Sequence, residues 1–436
     1  MTPRVLRVYH GGRDRGHRAR ERALAAAGVD MTLVVPANWH DGGAEARLSA
    51  ETFPMIELEV RRPGDVNRHR YANVDRLARV IRESRPDILD LHEEPFSVAA
   101  RQWLAAAPPA LPVVCYTAQN VDKRFPPPFA QWETAAYARL RALYPCSRQA
   151  AAVARGKGFC RVIDVLPLGI DSELFRPGEQ RLEPHKPVVL GLVGRLVPEK
   201  GVVDAVDVFA RVRERGPARL EIVGSGPEER AARDRARVLG VSDDLQITAW
   251  LPADSIAEAY RRMHVILVPS SRTHTWVEQF GRVIVEARAA GTVVVGYSSG
   301  SIPEVGGDTT VLVPEHDVDG LACAVIDLLA DPKRYDELRR RGITASADMT
   351  WTRVAQQQKE LYERVIAGDV PELDLPREAR RRRAAAEGEF GPPARLAGGS
   401  RQPFALPVLR NDTGWSRALA AALDASAGVL SRLRHS

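Results

Sequence analysis

The chain has 436 residues, 44% of them hydrophobic, and a formal net charge of +6. This length exceeds what one hydrophobic core usually holds, so two domains are expected. No apolar run is long enough to cross a membrane, and the N-terminus lacks the apolar region of a signal peptide. The four cysteines follow no metal-ligand spacing, as expected in a reducing compartment. These features exclude a transmembrane or disulfide-built protein and favour a cytoplasmic one.

Apolar strands alternate with helical stretches in the first half of the chain. Alternation of this kind predicts a parallel sheet with helices on both faces. The predicted strands are 5–9, 31–35, 88–91 and 112–116, and the predicted helices lie near 17–26, 73–84 and 97–106.

A second series repeats the pattern, with strands at 188–193, 220–223, 246–248, 265–268 and 292–295. We therefore expect an α/β protein with two doubly wound, Rossmann-like domains that face each other across a cleft. Linker composition at 175–187 places the domains at 1–183 and 184–350. A C-terminal helix at 351–368 is expected to pack back toward the N-terminal domain.

A basic tail rich in Pro, Gly and Ala follows at 369–436. Its part at 371–403 has too little apolar content to pack, which predicts a disordered linker. An amphipathic helix is predicted near the end, either docked on the protein's own surface or lying on a membrane. Because the tail and the N-terminal half are basic, an anionic surface at the inner face of the plasma membrane is a candidate partner. A scattered, arginine-rich surface explains the same charge equally well.

Two glutamates, Glu278 and Glu286, stand eight residues apart around Phe280, Gly281 and Arg282, after an apolar strand. If a helix begins near Phe280, its free amides and its dipole form an anion site for a diphosphate. Carboxylates on either side of that site suit the hydroxyl groups of a ribose and of a sugar. In the alternative interpretation Glu278 caps the helix and Glu286 is solvated.

Two cations, Arg195 and Lys200, follow the strand at 188–193 in a glycine-containing loop that opens a helix. Both could reach a phosphate group at the end of that strand and stabilise a leaving diphosphate. Otherwise they pair with Glu199 and Asp204.

A formal DxD motif, Asp317-Val318-Asp319, raises the question of a metal ion. It precedes a helix at 321–330, where aspartates commonly act as caps. We therefore predict capping, and no metal site.

Several segments carry a resemblance to a known family. GLVGRLVPEKG, LEIVGSGPE, ILVPSSRTHTWVEQFGRVIVEARAAGTVVVG and GSIPEVGGD resemble the C-terminal domain of family 4 glycosyltransferases of the GT-B fold. HEEPFS, YTAQNVDKRFPPPF and VLPLGIDSELFRP are similar to N-terminal segments of bacterial members. The resemblance covers about 1–366.

The resemblance implies transfer of a sugar from a nucleotide-diphospho-sugar, with retention at the anomeric carbon and with no required metal or other cofactor. It implies that Glu278 contacts the donor sugar, Glu286 the ribose, and Arg195 and Lys200 the phosphates. The candidate catalytic residues are Arg195, Lys200 and Glu278. The other donor-binding candidates are Gly12, Phe280, Gly281 and Arg282.

In the same family the N-terminal domain binds the acceptor, often with a histidine near the sugar that could not be matched here. The acceptor-side candidates are His92, Glu93, Glu94, Gln119 and Asn120, which follow two predicted strands. For His92 a structural, hydrogen-bonded role is an equal alternative.

The expected partners are the nucleotide-sugar donor and a hydroxyl acceptor, which could be a lipid-linked saccharide, another glycan or a small metabolite. Nucleic acid is not expected. A binding protein of the same fold, holding a nucleotide-sugar without transfer, is the alternative function. A nicotinamide-dependent oxidoreductase is disfavoured because the GxGxxG spacing is missing after both candidate strands.

Overall fold

The computed structural model describes residues 2–371, apart from 42–43, 46–47, 179–181, 183–185 and 275. The predicted linker and terminal amphipathic helix of the tail lie outside the described residues. The chain divides into two compact units. Unit 1 runs up to Pro145 and includes Ala151–Val165 and the described residues from Gln356 on, and unit 2 consists of Cys146–Ala150 and Leu166–Ala355.

Strands and helices alternate through the first part of the chain. The strands are β1 (Arg4–Val8), β2 (Asp30–Pro36), β3 (His40–Asp41), β4 (Ala44–Glu45), β5 (Met55–Leu58), β6 (Val60–Arg61), β7 (Arg70–Tyr71), β8 (Ile88–Leu91), β9 (Val113–Thr117), β10 (Ala142–Pro145) and β11 (Val162–Ile163). The helices are α1 (Ala19–Ala26), α2 (Val74–Ser84), α3 (Val98–Ala106), α4 (Phe129–Arg139) and α5 (Arg148–Gly156).

The same alternation continues in the second part. The strands are β12 (Val188–Val193), β13 (Ala218–Val223), β14 (Leu245–Thr248), β15 (Val265–Val268), β16 (Val293–Tyr297) and β17 (Thr310–Val313). The helices are α6 (Val202–Arg213), α7 (Glu229–Val238), α8 (Ala253–Arg262), α9 (Arg282–Ala289), α10 (Ile302–Gly306), α11 (Val318–Ala330), α12 (Pro332–Ser346) and α13 (Trp351–Ala367).

Each unit is built on one parallel sheet. The order is β11-β10-β9-β8-β1-β2-β5 in unit 1 and β14-β13-β12-β15-β16-β17 in unit 2, and every pairing within these two sheets is parallel. Counted along unit 2, this order is 3-2-1-4-5-6, the doubly wound order of dinucleotide-binding folds. The predicted fold class of two parallel-sheet α/β domains is confirmed.

Fully buried apolar residues explain why these segments form central strands. In unit 2 the core includes Leu190, Leu220 and Leu267, against which α6 packs Val206 and Phe209. A parallel sheet covered on both faces requires such near-continuous apolar runs. The core of unit 1 is built in the same way around the strands β1 and β8.

The C-terminal helix α13 contributes to the buried centre of unit 1. Tyr362 donates its hydroxyl proton to the carboxylate of Asp90, and Gln358 donates to the same carboxylate at 3.1 Å. Arg7 and Tyr144 also contact Asp90, and all these side chains are fully buried. One carboxylate of the central strand β8 therefore holds four side chains from distant parts of the sequence.

The boundaries of the two compact units differ from the domain boundary at 183/184 that was expected from linker composition. Residues 146–150 and 166–183 group with unit 2, and the C-terminal helix is divided between the units at residue 356. Within the described residues, no helix is both long enough and apolar enough to span a lipid bilayer.

Candidate functional site

The loops that follow β12 and β15 meet in unit 2. These two strands are neighbours in the sheet although they are the first and fourth in chain order. Ligands of open α/β sheets bind at such a point, where the strand order reverses, at the carboxyl ends of the strands. Lys200 comes from the first loop and Glu278 from the second. The topology therefore brings together two residues that are 78 positions apart.

Close backbone contact holds these two loops in place. Gly201 has a φ of +64°, and a Cβ atom at this position would lie 2.2 Å from the carbonyl oxygen of Pro269. The amide of Ser271 also donates a hydrogen bond to the carbonyl of Glu199 at 3.0 Å. Only glycine meets both demands at position 201, a left-handed φ and the close approach. The backbone around Lys200 is thereby fixed against the β15 loop.

The side chains of Lys200 and Glu278 form an ion pair, with 2.5 Å between Nζ and Oε2. The hydroxyl of Ser270 donates to the same carboxylate oxygen at 3.2 Å, and Nζ of Lys200 lies 4.9 Å from the ring centroid of Trp276. Glu278 is 7% exposed. A cation and an acid are thus held side by side in a largely desolvated position, where charged hydrogen bonds are strong.

Glu286 is also held by specific partners and is 8% exposed, so it is not the solvated residue of the alternative interpretation. The hydroxyl of Tyr260 donates to its Oε2 at 3.1 Å, and Arg282 donates to its Oε1 at 2.8 Å. Burial raises the pKa of Tyr260, and the adjacent Glu286 carboxylate raises it further. Tyr260 therefore keeps its proton and acts as a fixed donor toward Glu286.

The helix α9 begins at Arg282, two residues later than the predicted start near Phe280. The reason is Gly281, whose φ of +82° lies outside the right-handed helical region. Phe280 is 3% exposed and anchors the turn in the core. Glu286 therefore lies just over one helical turn from the helix start, and Glu278 precedes the left-handed turn.

The second predicted cation, Arg195, is exposed and makes no ion pair with any residue that the structure describes. The alternative pairing of the two cations with Glu199 and Asp204 is not what the structure shows for Lys200, whose partner is Glu278. Asp204 instead accepts a hydrogen bond from the hydroxyl of Tyr297 at 2.8 Å.

The DxD motif behaves as predicted for a helix cap. The carboxylate of Asp317 accepts a hydrogen bond from the amide of Gly320 at 2.8 Å at the start of α11. Asp319 is exposed and pairs with Arg211. The capping prediction is confirmed.

In unit 1 the strand order reverses between β1 and β8, and Gly12 and residues 92–94 lie on the loops at that point, whereas Gln119 and Asn120 follow the neighbouring strand β9. Gly12 is buried in a short turn after β1, where a Cβ atom would lie 3.1 Å from the ring of Tyr9 and 3.3 Å from Leu33. It belongs to unit 1, whereas the other predicted donor-binding residues belong to unit 2.

His92 directly follows β8, and its Nδ1 atom lies 3.0 Å from a guanidinium nitrogen of Arg7. Because arginine can only donate, this nitrogen of His92 is the acceptor and carries no proton. The ring stacks on Tyr116 at a centroid distance of 4.1 Å. Burial lowers the pKa of His92 well below its ordinary value, and the charge of Arg7 lowers it further. The side chain is therefore a neutral, hydrogen-bonded histidine.

Glu93 is 1% exposed and lies between two histidines. Nδ1 of His10 is 2.8 Å from one carboxylate oxygen, and Nε2 of His69 is 3.8 Å from the other. Burial acts to raise the pKa of Glu93, but the charge and hydrogen bonds of His10 act against it, and the pKa is lowered. Glu93 is consequently an ionised carboxylate in a closed position.

Glu94 connects the loop after β8 to the end of β9. Its carboxyl group accepts hydrogen bonds from the hydroxyl of Thr117 at 2.7 Å and the amide of Ala118 at 2.8 Å. Burial raises the pKa of Glu94 to about 7 in spite of these two bonds, which lower it.

The remaining acceptor-side candidates are both buried. Gln119 is 8% exposed and accepts a hydrogen bond from Lys157 at 3.0 Å, while Lys157 is also paired with Glu133. Asn120 is 5% exposed.

Two family descriptions match this chain, one on each half. Glycosyltransferase Family 4 matches residues 21–174, and Glycosyl transferases group 1 matches residues 178–345. The chain belongs to family 4 of the glycosyltransferases, which have the GT-B fold. The two matches cover most of both sheets and include the loops that carry Glu93, Lys200 and Glu278.

Proteins named as glycosyltransferases are similar to this chain over part of their length. The chain is 32% identical over 220 residues to the D-inositol 3-phosphate glycosyltransferase of Segniliparus rotundus, covering 47% of this chain and 48% of that protein. It is 30% identical over 213 residues to the MMP alpha-(1->4)-mannosyltransferase of Mycolicibacterium hassiacum, covering 47% of this chain and 49% of that protein. The chain thus spans about half the length of these relatives.

Solved structures of low sequence identity share the fold of this family 4 chain. A sucrose-phosphate synthase from Thermosynechococcus elongatus superposes with a TM-score of 0.66 at 18% identity, covering 84% of this chain and all of that one. HepE of Anabaena, in complex with UDP, gives a TM-score of 0.64 at 16% identity, covering 83% of this chain and all of that one.

Several contact residues of these two sites were not found from the sequence. No sequence motif pointed to Ser270 and Tyr260, which donate to the two glutamates. The same holds for His10 and His69, which flank Glu93. Ser270 lies eight residues before Glu278, and Tyr260 lies 26 before Glu286. A signal for His10 existed, because it directly follows the predicted first strand, at a position where ligands of α/β sheets bind.

Proposed function

We propose that this protein transfers a sugar, with retention, from a nucleotide-diphospho-sugar to a hydroxyl acceptor. The observation that carries the proposal is the Lys200–Glu278 pair, placed where the strand order of the unit 2 sheet reverses and followed by the buried Glu286 on α9. Membership in a family of glycosyltransferases supports it independently.

Positive groups of unit 2 are proposed to bind the donor diphosphate. Lys200 and Arg195 lie on the loop after β12, and α9 presents the positive end of its dipole directly after Gly281. Exposed Arg195 can turn toward an anion without breaking an ion pair that the structure describes. As the bond to the sugar breaks, negative charge grows on the departing phosphate, and fixed cations stabilise it most strongly at that moment.

The two glutamates are proposed to bind hydroxyl groups of the donor, Glu278 those of the sugar and Glu286 those of the ribose. Each carboxylate is already oriented by partners, Ser270 and Lys200 for the first, and Tyr260 and Arg282 for the second. A preoriented carboxylate loses less conformational entropy when a ligand binds. Phe280 and Gly281 are proposed to shape the turn between them.

Retention is proposed to follow from attack on the same face that the phosphate leaves. The bond from the anomeric carbon to the phosphate oxygen breaks, the bond to the acceptor oxygen forms, and the acceptor proton passes to the departing phosphate oxygen. This route requires positioning and charge stabilisation, which Arg195 and Lys200 supply, and it needs no carboxylate nucleophile. Nuclear magnetic resonance of the first-formed product tests it, and an inverted anomeric configuration would contradict it.

No divalent ion is proposed to bridge the donor phosphates. Asp317, the first residue of the DxD motif, is occupied as a helix cap, and Arg195 and Lys200 provide the positive charge. Transfer by the chelator-treated enzyme is therefore expected to be insensitive to added Mg²⁺ or Mn²⁺. A strict requirement for either ion would overturn this part of the proposal.

The acceptor is proposed to bind unit 1, with Glu94, Gln119 and Asn120 among the residues near it. The relatives' names include inositol phosphate and phosphatidylinositol mannoside acceptors, so a soluble polyol phosphate and a lipid-linked saccharide are both in the proposed acceptor class. The lipid-linked acceptor would be reached at the cytoplasmic face of a membrane.

A thermal-shift panel of UDP-, GDP- and ADP-sugars tests the donor assignment. One donor is expected to stabilise the protein, by about 2.7 kcal/mol at 100 times its dissociation constant. The variant Glu286→Gln should lose most of this shift, and Glu229→Gln, a change of an exposed acid on the same unit, should keep it. Equal shifts in both variants would refute the ribose contact.

Release of nucleoside diphosphate from the stabilising donor separates enzyme from binding protein. We expect slow hydrolysis of the donor with water as acceptor and faster release with a panel of polyols, polyol phosphates and lipid-linked saccharides. A protein that binds the donor tightly and releases none under all these conditions would be the non-catalytic alternative.

A further inference from the structure

A cluster of three potential metal ligands lies in unit 1, at the point where its strand order reverses. His10 follows β1, Glu93 follows β8, and His69 directly precedes β7. One ligand atom from each of the three residues lies within 4.8 Å of the others. Two imidazoles and a carboxylate form a common zinc ligand set, and the same set binds other divalent first-row ions.

The protonation pattern of His69 is fixed by the backbone. Its Nδ1 atom lies 3.1 Å from the carbonyl oxygen of Asp65 and 3.2 Å from that of Val66. A carbonyl can only accept, so Nδ1 carries the proton and, in the neutral ring, Nε2 presents a lone pair. Metal-bound histidines are commonly oriented by such a bond from the other ring nitrogen to a carbonyl group.

The free lone pair of His69 faces a negative charge. Nε2 is buried, has no hydrogen-bond partner among the described residues and lies 3.8 Å from Oε1 of Glu93. Two electron-rich atoms that face each other at this distance repel, and 3.8 Å is too long for a hydrogen bond. A cation between them removes the repulsion and supplies the missing partner.

The distances suit an ion at the centre of the three residues. Two bonds of about 2.0–2.1 Å at a tetrahedral angle place their ligand atoms about 3.3 Å apart. Measured to the same atom, Oε1 of Glu93, the two histidine distances are 2.9 Å for His10 and 3.8 Å for His69, on either side of that value. Small rotations of the side chains would equalise them.

An aromatic wall encloses the cluster on one side. The ring of Trp39, which is 4% exposed, lies 4.8 Å from the ring of His10 and 5.0 Å from that of His69. The side chain of His10 keeps 14% of its surface exposed, which leaves a route for an ion and room for a further ligand. The site is thus closed around Glu93 and open at His10.

We propose that His10, His69 and Glu93 bind one divalent first-row metal ion of the zinc class, which joins the loops after β1 and β8 to the segment before β7. This proposal goes beyond the transferase function and is independent of it. Magnesium and calcium are not favoured, because they prefer oxygen ligands.

Titration of the chelator-treated, full-length protein with Zn²⁺ and Co²⁺ tests the proposal. Calorimetry is expected to give a tight site with one Zn²⁺ per chain, and bound Co²⁺ is expected to show the visible absorption of a low-coordinate complex with nitrogen ligands. The variants Glu93→Gln and His69→Gln should bind Zn²⁺ at least about 100-fold more weakly, since ligand loss exceeds the 10- to 100-fold effect of losing an outer partner. The exposed histidine variant His17→Gln should bind as the unchanged protein does.

The wild-type titration decides the question even if a variant fails to fold. Absence of a one-to-one site in the unchanged protein would overturn the proposal, as would equal Zn²⁺ affinity in folded Glu93→Gln, His69→Gln and His17→Gln. Neither readout depends on sugar transfer, so failure of the proposed function would leave this result intact.

Discussion

The ion pair between Lys200 and Glu278 gives the sharpest test of the donor site. Lys200→Met removes the charge and keeps an unbranched chain that can lie over Trp276. It leaves the Glu278 carboxylate with the hydroxyl of Ser270 at 3.2 Å and without its cation. We expect two separate effects, one on the stability of the protein and one on the chemistry.

The stability effect follows from the burial of the pair. Removing one partner of a fully buried ion pair costs about 3–5 kcal/mol, and an exposed pair contributes about 0–1 kcal/mol. The side chains of Lys200 and Glu278 are 21% and 9% exposed, so an intermediate loss of about 2 kcal/mol is expected for Lys200→Met. Arg213→Met is the matched control, because Arg213 pairs with Asp244 at 2.9 Å and these side chains are more exposed, at 44% and 31%. It should cost less than about 1 kcal/mol.

The catalytic effect is larger and has a different origin. Loss of one fixed positive donor at a developing anion typically lowers kcat by about 100- to 1000-fold. Urea unfolding and release of nucleoside diphosphate from the donor measure the two effects on the same preparations.

The double variant Lys200→Met/Glu278→Gln separates the two effects. It should regain most of the lost stability, because no buried charge is left unpaired, and it should remain inactive. If Lys200→Met turned over the donor normally, or if the double variant recovered activity along with stability, the pair would be structural and the proposed site would be wrong.

Three further outcomes are expected. The pKa of Glu94 is raised by burial to about 7, so the folded state binds a proton more tightly than the unfolded state and stability falls as pH rises from about 4.5 to about 7. In Glu94→Gln the melting temperature should not show this fall between about pH 5 and about pH 8. The same pH dependence of the melting temperature in the variant and the unchanged protein would contradict the prediction. Tyr362→Phe removes a buried hydrogen bond to Asp90 and should lower the free energy of unfolding in urea by about 1.5–3 kcal/mol, the range for bonds to charged groups. A decrease below about 0.5 kcal/mol, less than one ordinary hydrogen bond, would argue against the network. Gly201→Ala should lower the free energy of unfolding by at least about 1–2 kcal/mol, because Gly201 has a left-handed φ and contacts Pro269. The control Gly216→Ala should be nearly neutral, because a Cβ atom there meets no atom within 4 Å. Equal melting temperatures of the two variants would refute this difference.

Local sequence patterns were sufficient for most strands of the two sheets, although not for β5, β10, β11 and β17. The predicted strands 88–91, 188–193 and 265–268 coincide with β8, β12 and β15, because uninterrupted apolar runs are required in a sheet buried on both faces. The short strand β10 was missed, since ALYP ends in proline and has no alternating pattern. Strands of this length are defined by their neighbours more than by their own residues.

At the candidate site, the contacts between residues far apart in the chain could not be predicted from the sequence. The pair of glutamates and the two cations could be named from their spacing, but the partner that orients Glu286, Tyr260, comes from a different helix. The start of α9 was placed too early because a left-handed glycine cannot be distinguished in sequence from a flexible one. The C-terminal helix was expected to pack toward the N-terminal domain, and Gln358 contacts Arg20 and Asp90 of unit 1. Composition gave no signal, however, that residues 146–150 and 166–178 group with unit 2.

The carboxylate of Asp90 has a consequence for how the protein is made. Its partner Tyr362 on α13 lies 272 residues further along the chain. A ribosome that adds about 5–20 residues per second needs roughly 15–50 s to synthesise this stretch. Throughout that interval the nascent first sheet carries a charged group whose final partners have not yet emerged. Completion of the buried centre of the first sheet is thereby coupled to the synthesis of α13, and fragments that stop after the first sheet should depend on chaperones to stay dispersed.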